Sequence, residues 1–437
     1  MNKRYLKTLF LTLATLASLT LLPGGAQAAE EYVIPNGGTI TINEHGVCTA
    51  ITNNSGNDLM APTKTANEWS TGGSSFLENA PLNIETLTCC TGGQQNLAYT
   101  GSPYDNYLGS FVAVDGNWAV SSSTNWTNGY PLHFFKRTGG VWSENQVLGT
   151  AISGRKPVDI DGDTVVVGRG DGTFVYYYNG TTWSQQGAAL LGIPDSFGGT
   201  NVAIDGDTIV TGDNRFGDPS YFGRIYVYTR SAGVWSLQYT MTGASWNYYI
   251  GKVIALDGDT FVANYNNTIR VYTGAGATWS EQATLTPSPA PAGVFGNELA
   301  ISGDTVVVGA SNDNISGKSG AGSVYVFTRS GTTWSQQAKL ISDDPYTNAN
   351  FGYDVSISGD LLIIGEPKYY VSGVGENGRT HIFTRSGTTW TRDSIIVGAA
   401  NANFGTGVDT DGLSIFSGAP GKDGFGVNDA LYMDCVP

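Results

Sequence analysis

One feature governs what this chain can fold into: it writes the same unit over and over. Residues 294–340 read VFGNELAISGDTVVVGASNDNISGKSGAGSVYVFTRSGTTWSQQAKL, and close copies occupy 196–241 and 350–396. Shorter copies lie at 152–190 and 248–285, and a divergent one at 107–148. A seventh begins at Phe404 and reaches the last residues of the chain without its final segment. Each unit holds four short β-prone runs. The first two, as in VAID and TIVTG, are joined by a tight Asp-Gly or Ser-Gly turn, a strong hairpin signal. The third is GSVYVF, and after RSGTT the fourth is WSQQAKL, marked by Trp142, Trp183, Trp235, Trp279, Trp334 and Trp390 in six copies. One such unit cannot bury its apolar faces alone, so copies must stack. Four antiparallel strands repeated radially describe a propeller, and seven copies predict a seven-bladed, all-β ring.

A ring of this kind has to be closed, or its first and last blades expose unpaired edges. The seventh copy lacks its outer strand, and the missing ending stands elsewhere. GGQQNLAY, with Gln94-Gln95, precedes the first copy and matches the endings WSQQGAAL and WSQQAKL. This stretch is expected to supply the outer strand of the seventh blade and so to fasten the two ends of the ring. Cys435, on the third strand of that blade, then lies close to Cys89 or Cys90. A disulfide there would contribute about 2–4 kcal/mol.

Four cysteines, Cys48, Cys89, Cys90 and Cys435, suggest two disulfides in an exported protein. The neighbours Cys89 and Cys90 are poor partners for each other, which leaves Cys48 to one and Cys435 to the other. Export is expected from residues 1–28: basic Lys3, Arg4 and Lys7, an apolar core, and Ala26-Gln27-Ala28 as a small-residue cleavage site. Removing those three positive charges and no negative ones takes the net charge from −15 to −18. That acidity excludes nucleic acid and anionic membranes as partners, because phosphate binding needs clustered Lys and Arg. The composition, with 60 Gly and 23 Tyr, suits strands rather than helices; a turn or two of helix is expected only near 67–77. The domain reading is a signal peptide at 1–28, a small N-terminal extension at 29–88, and the propeller at 89–437. A secreted, periplasmic or cell-surface monomer is expected.

The pairs Phe295-Gly296, Phe351-Gly352 and Phe404-Gly405 are followed by GAS (309–311), GEP (365–367) and GAP (418–420). In these motifs the chain resembles the FG-GAP repeat of integrin α-subunit propellers and of many bacterial secreted proteins, and SGTTW with GSVYVFTR resembles the bacterial form. The resemblance covers about residues 94–437 and implies the fold, not a function. Integrin-like blades often carry a DxDxDG calcium loop. Here the turn is mostly a bare DGD or SGD. Asp159, Asp161 and Asp163, with Asp409 and Asp411, come nearest, yet offer too few oxygens for a six-to-eight-coordinate ion. No cofactor is expected.

Catalytic constellations are hard to assemble. His133 and His381 fall at the repeat position of Tyr226 and Tyr325, which reads as a packing or surface role, and His45 stands apart. GKSG at 317–320 lacks the first glycine of a phosphate loop, since Asn312 occupies it, and lies between strands. SGTTW resembles a sialidase Asp-box whose Asp position is Arg329. The stronger signal is aromatic. Loops between the second and third strands and between blades share one face, and they hold Tyr104, Trp126, Tyr130, Phe216, Tyr221, Trp246, Tyr248, Tyr346, Tyr369 and Tyr370, with Asp218, Asp313, Asp343 and Asp344 as acceptors. The Asp-Gly turns of the opposite face read as short and plain. Aromatic loops suit sugar rings or protein surfaces. The expected function is therefore a non-catalytic binding or adhesion module for an extracellular protein or glycan; a propeller-borne glycosidase or lyase and a purely structural disc are the alternatives.

Overall fold

A computed structural model describes residues 106–124, 131–149, 157–169, 172–192, 201–214, 216, 222–244, 249–371, 375–398 and 402–420. It also describes strand segments at 31–34, 39–44, 47–53, 59–62, 82–88, 95–97 and 430–435. The chain divides into two compact units, Gln94–Asp434 and the remainder. In the N-terminal unit Glu31–Ile34 pairs antiparallel with Leu59–Pro62, and Val47–Asn53 lies between Thr39–Glu44 and Leu82–Thr88. The helical turn expected near 67–77 and both Cys89 and Cys90 lie outside the described residues. So do the signal segment and any disulfide, because the side chains of Cys48 and Cys435 are not described.

The larger unit is a β-propeller of four-stranded antiparallel blades. The fifth repeat shows how one is made. Its strands are Leu299–Ser302, Thr305–Ala310, Ser323–Ser330 and Thr333–Leu340, paired in sequence order from the innermost outward. Gly303, at the first central position of the Ser-Gly hairpin, has φ +56°. A Cβ there would be strained, so the turn is written with glycine in every copy.

The second strand, TVVVGA, is buried at all six positions. Its run of valines loses the usual apolar–polar alternation because both faces meet a neighbouring blade. Val306 and Val308 pack with Val262, Val271 and Phe295, towards the preceding repeat. Val307 packs with Phe351, Ile357 and Leu362 of the following one. Period-two geometry thus distributes one apolar run between two interfaces. Full burial of each valine contributes roughly 1.5–3 kcal/mol.

The Phe-Gly and Gly-Ala or Gly-Glu pairs meet across the blade interface. Phe351 is fully buried against the preceding blade, and Gly352 has φ +80°. A Cβ on Gly309 of the fifth repeat would stand 2.4 Å from the Gly352 carbonyl oxygen. The same contact recurs between Gly365 and Gly405 O at 2.0 Å, and between Gly212 and Gly251 O at 2.0 Å. Gly418 meets Gly109 O at 1.9 Å, which joins the seventh repeat to the first.

Polar latches repeat with the same step. The carboxylate of Asp161 accepts the Gly206 N–H, that of Asp205 the Gly258 N–H, that of Asp257 the Gly303 N–H, and that of Asp411 the Gly116 N–H. Arg230 donates back to Thr164, Arg329 to Thr260, Arg385 to Thr305 and Arg137 to Ser414. The indole N–H groups of Trp235, Trp334 and Trp390 donate to Gln186, Gln282 and Gln337 of the preceding repeat. The second glutamine of the SQQ ending is therefore an inter-blade acceptor.

Gln95–Leu97 pairs antiparallel with Ala430–Cys435, Met433 opposite Gln95 and Leu431 opposite Leu97, as the outer strand of the sheet of the seventh repeat. This is the strand the seventh copy lacks. One expectation is corrected. Seven four-stranded blades are predicted, whereas among the described residues six sheets are four-stranded and that of the second repeat is not. There, Trp183–Gln185 is only three residues long and Leu191–Gly192 adds a fifth strand on the same edge of Gly172–Tyr178. The short fourth strand leaves the far end of the third strand open, and the chain, continuing in the same direction after a break, covers it with Leu191–Gly192.

Candidate functional site

The described part of the aromatic loop face centres on the fifth and sixth repeats. Its foundation is a buried ionic cluster. Glu366 ends the strand Leu361–Glu366 and lies opposite Arg379, at the start of Arg379–Ser386. Arg379 and His381, two residues apart, point to one side of that strand and both reach Glu366 Oε2. The His381 Nε2···Oε2 distance is 2.7 Å. Burial pushes the His381 pKa down, the Glu366 hydrogen bond opposing it, so the ring is neutral and donates Nε2–H. The packing role expected for both histidines holds: His133 and His381 are fully buried, and His133 Nδ1 lies 2.8 Å from Glu144.

From this base Arg379 reaches across the blade interface. Its Nη2 donates to Ser342 Oγ at 2.7 Å and to the Asp344 carbonyl at 3.0 Å. The Tyr369 ring lies over the guanidinium, 3.4 Å from Cζ to centroid. The Tyr369 hydroxyl donates to Asp344 Oδ2 at 2.8 Å, and its pKa is raised, first by burial and then by that carboxylate. A backbone bond from Lys368 N to Ala349 O ties the two loops a second time. Tyr369 is thus a pillar, half-buried and engaged through both ring and hydroxyl.

Tyr346 and Tyr370 stand against this pillar. Their rings are stacked, 6.0 Å apart and inclined by 17°, and Tyr346 meets the edge of Tyr369 at 6.4 Å. They remain 43% and 40% exposed, so their outer faces are open to solvent. Ile341, Tyr353 and Val397 emerge at the same ends of these two blades and are also exposed. Asp343 is paired with Arg392 and Asp344 with Tyr369. The arrangement offers rigid aromatic area ringed by polar groups, which is equipment for contact with a partner.

Of the predicted ligand-binding residues, the structure brings Tyr346, Tyr369 and Tyr370 together, and assigns Tyr369 to support rather than display. Tyr104, Trp126, Tyr130, Tyr221, Trp246 and Tyr248, with Asp218, lie outside the described residues. Two other expectations on this face are corrected. Phe216 is covered by the Arg224 guanidinium at 3.4 Å. Asp313 is only 2% exposed and serves the fold: it pairs with Lys339 at 2.8 Å and accepts from Ser323 Oγ and the Ala292 N–H. Those bonds lower its pKa against the opposing effect of burial.

The acids of the Asp-Gly turns act as blade connectors. Asp159 accepts from the N–H groups of Ile160 and Ile204, Asp409 from Ser356 Oγ and Val114 N–H, and Asp411 from Leu413, Ser414 and Gly116. Among the described residues no group of three or more His, Cys, Asp and Glu is disposed to hold a metal ion. The turn face is also not plain throughout. A cleft of about 400 Å³ opens between the second and third repeats, lined by Asp163, Tyr177, Gln186, Asp207, Arg230, Ala232 and Gly233. Its sequence signal was available: Tyr177 stands where the third to sixth repeats place Thr and the first places Lys136.

The family model for the FG-GAP repeat matches residues 279–327 and 334–383. Each match runs from the tryptophan strand of one blade into the third strand of the next, and the Gly309–Gly352 contact joins the first matched segment to the second. The chain carries FG-GAP repeats on a β-propeller. No curated protein matches it. A solved structure titled "Crystal Structure of Mitotic Checkpoint Complex" superposes with a TM-score of 0.47 at 12% identity, covering 77% of this chain and 91% of that one. No helix among the described residues of this FG-GAP propeller is long and apolar enough to cross a membrane.

Proposed function

We propose that the protein is an exported binding or adhesion module that engages an extracellular protein or glycan through the loop face of a closed seven-membered propeller. The observation that carries this reading is the solvent-open Tyr346–Tyr370 pair on a loop anchored by buried Arg379, Glu366 and His381. Exposed tyrosines held rigid lose little side-chain entropy on contact, so they give a partner more affinity than mobile ones would. A buried ionic cluster is expensive to build. Here it fixes a surface loop, which is of use only if that surface has to keep its shape. The N-terminal signal reading supports export, and the FG-GAP fold supports an extracellular role.

The test is to probe the mature protein on a glycan array and in pull-downs from cell surfaces, beside Tyr346→Ala/Tyr370→Ala. A partner bound by the wild type and lost by the double variant, at unchanged Tm, is the expected result. A partner retained in full by the double variant would place the binding surface elsewhere.

A further inference from the structure

The cleft between the second and third repeats departs from the repeat that surrounds it. The third-strand residue opposite the first residue of the second strand is threonine in the third, fourth, fifth and sixth repeats: Thr229, Thr273, Thr328 and Thr384. In the second repeat it is Tyr177, opposite Thr164 and 38% exposed. The latch at the junction follows the common plan, although the fourth strand of the second repeat breaks off at Gln185, beside the cleft. Arg230 pairs with Asp207 Oδ1 at 2.7 Å and donates to Thr164 at 2.9 Å, as Arg329 and Arg385 do with Asp304 and Asp360. The first repeat places Lys136 there, opposite Trp118; Tyr177 departs from the four threonine repeats and gives this crevice an aromatic wall.

The groups around that wall narrow what it can take. Asp163 beside Tyr177 raises the phenol pKa, so the hydroxyl stays protonated at neutral pH. Gln186 has both ends committed, its Oε1 to Trp235 and its Nε2 to the Gly233 carbonyl. Asp207 is largely exposed, at 68%. Arg230 uses Nε and Nη1 in short bonds, while Nη2 makes only a 3.5 Å contact with Gly206 O. The cleft thus presents two carboxylates as acceptors, guanidinium N–H groups as donors, and one ring face. An anion would meet Asp163 and Asp207; a cation would meet Arg230. A neutral ligand with adjacent hydroxyls, able to donate to Asp207 and accept from Arg230, satisfies both sides, and an apolar C–H face would lie on Tyr177. About 400 Å³ falls at the small end of ligand-site volumes.

We infer that this cleft is a saccharide site, binding a neutral pyranose between Tyr177 and the Asp207–Arg230 pair, on the face opposite the tyrosine loops. It is independent of the loop-face reading, and the two can fail separately.

The experiment is saturation-transfer NMR on the mature protein with methyl glucopyranoside, galactopyranoside and mannopyranoside, followed by titration of any that respond. Tyr177→Thr installs the residue found at this position in the third, fourth, fifth and sixth repeats, so the fold is kept. At least one pyranoside is expected to bind the wild type, with affinity about tenfold lower in Tyr177→Thr. Tyr177→Phe keeps the ring and is expected to retain most of the affinity; a loss as deep as that of the threonine variant would overturn the stacking assignment. Tyr346→Ala/Tyr370→Ala is expected to bind like the wild type. Absence of transfer to all three sugars overturns the proposal. So does binding undiminished in Tyr177→Thr, and its loss in the loop-face variant would then assign the sugar to the tyrosine pair.

Discussion

Replacing Gly365 with alanine tests the physical meaning of the repeat motif. Gly365 is the glycine of GEP, and its φ is not in the left-handed region, so alanine meets no backbone strain there. The cost is steric alone. The new Cβ would sit 2.0 Å from the Gly405 carbonyl oxygen of the next blade and 3.0 Å from its carbonyl carbon. Ordinary contact is near 3.5 Å or more, so one strand must move by over an ångström relative to the next. That shift would disturb the bonds Gly352 N–H to Gly365 O and Gly405 N–H to Gly418 O, both part of the same junction. Overpacking costs about 1–3 kcal/mol and occasionally more, and a backbone-to-backbone clash belongs at the upper end. The expected loss is therefore roughly 3 kcal/mol or more. Gly359→Ala is the matched control. It has φ +63° and nothing within 4 Å, so it incurs only left-handed strain of about 1–2 kcal/mol. Urea unfolding followed by tryptophan fluorescence compares them directly. A Gly365→Ala midpoint equal to or above that of Gly359→Ala would refute the argument that the motif exists to bring two blades into backbone contact.

Three other outcomes follow from the same junctions. Burial raises Asp159 to about 8 and Asp354 and Asp409 to about 7. Folded values above unfolded ones mean that the native state binds more protons, so stability is full below about pH 4 and falls as pH rises through 7 to 8. The Tm should be higher at pH 5.5 than at pH 8.5, with Asp159→Asn flattening the difference; a Tm that rises with pH over this interval contradicts the sign. Arg385→Ala removes the bond to buried Thr305 and is expected to cost about 1–2 kcal/mol, whereas Asp360→Ala, removing a largely exposed partner, should cost about 0–1 kcal/mol; denaturant midpoints in reverse order would assign the latch to the ion pair. Trp390→Phe deletes the indole donor to Gln337 and should lower stability by about 1 kcal/mol, with Gln337→Leu non-additive in a double-mutant cycle.

The propeller was legible because repetition reduces a large fold to one local pattern plus a stacking rule. Strand order, the glycine turns, the six tryptophan strands and the donor strand at Gln95–Leu97 follow from period, alternation and the need to close an edge. The fifth strand at Leu191–Gly192 was not legible, since two residues carry no pattern of their own. Asp313 and Phe216 were misjudged for a related reason: a loop position implies exposure, but here Lys339, Ser323 and Arg224 fold over them.

By itself the sequence determined the architecture: hydrophobic periodicity and turn chemistry are local, and copying them many times leaves few ways to bury the apolar faces. Only the tertiary structure decided which chemistry-bearing side chains are spent on the fold and which face outward. The Asp of each Asp-Gly turn reads in sequence as a plain hairpin residue, yet Asp161, Asp205 and Asp257 each accept a backbone N–H from the following blade. Tyr369 and Tyr370 are adjacent in the chain, yet Arg379 and Asp344 hold the first inside the loop and leave the second in solvent. Those outcomes rest on contacts between blades, and residues about fifty apart meet there only after the ring has formed.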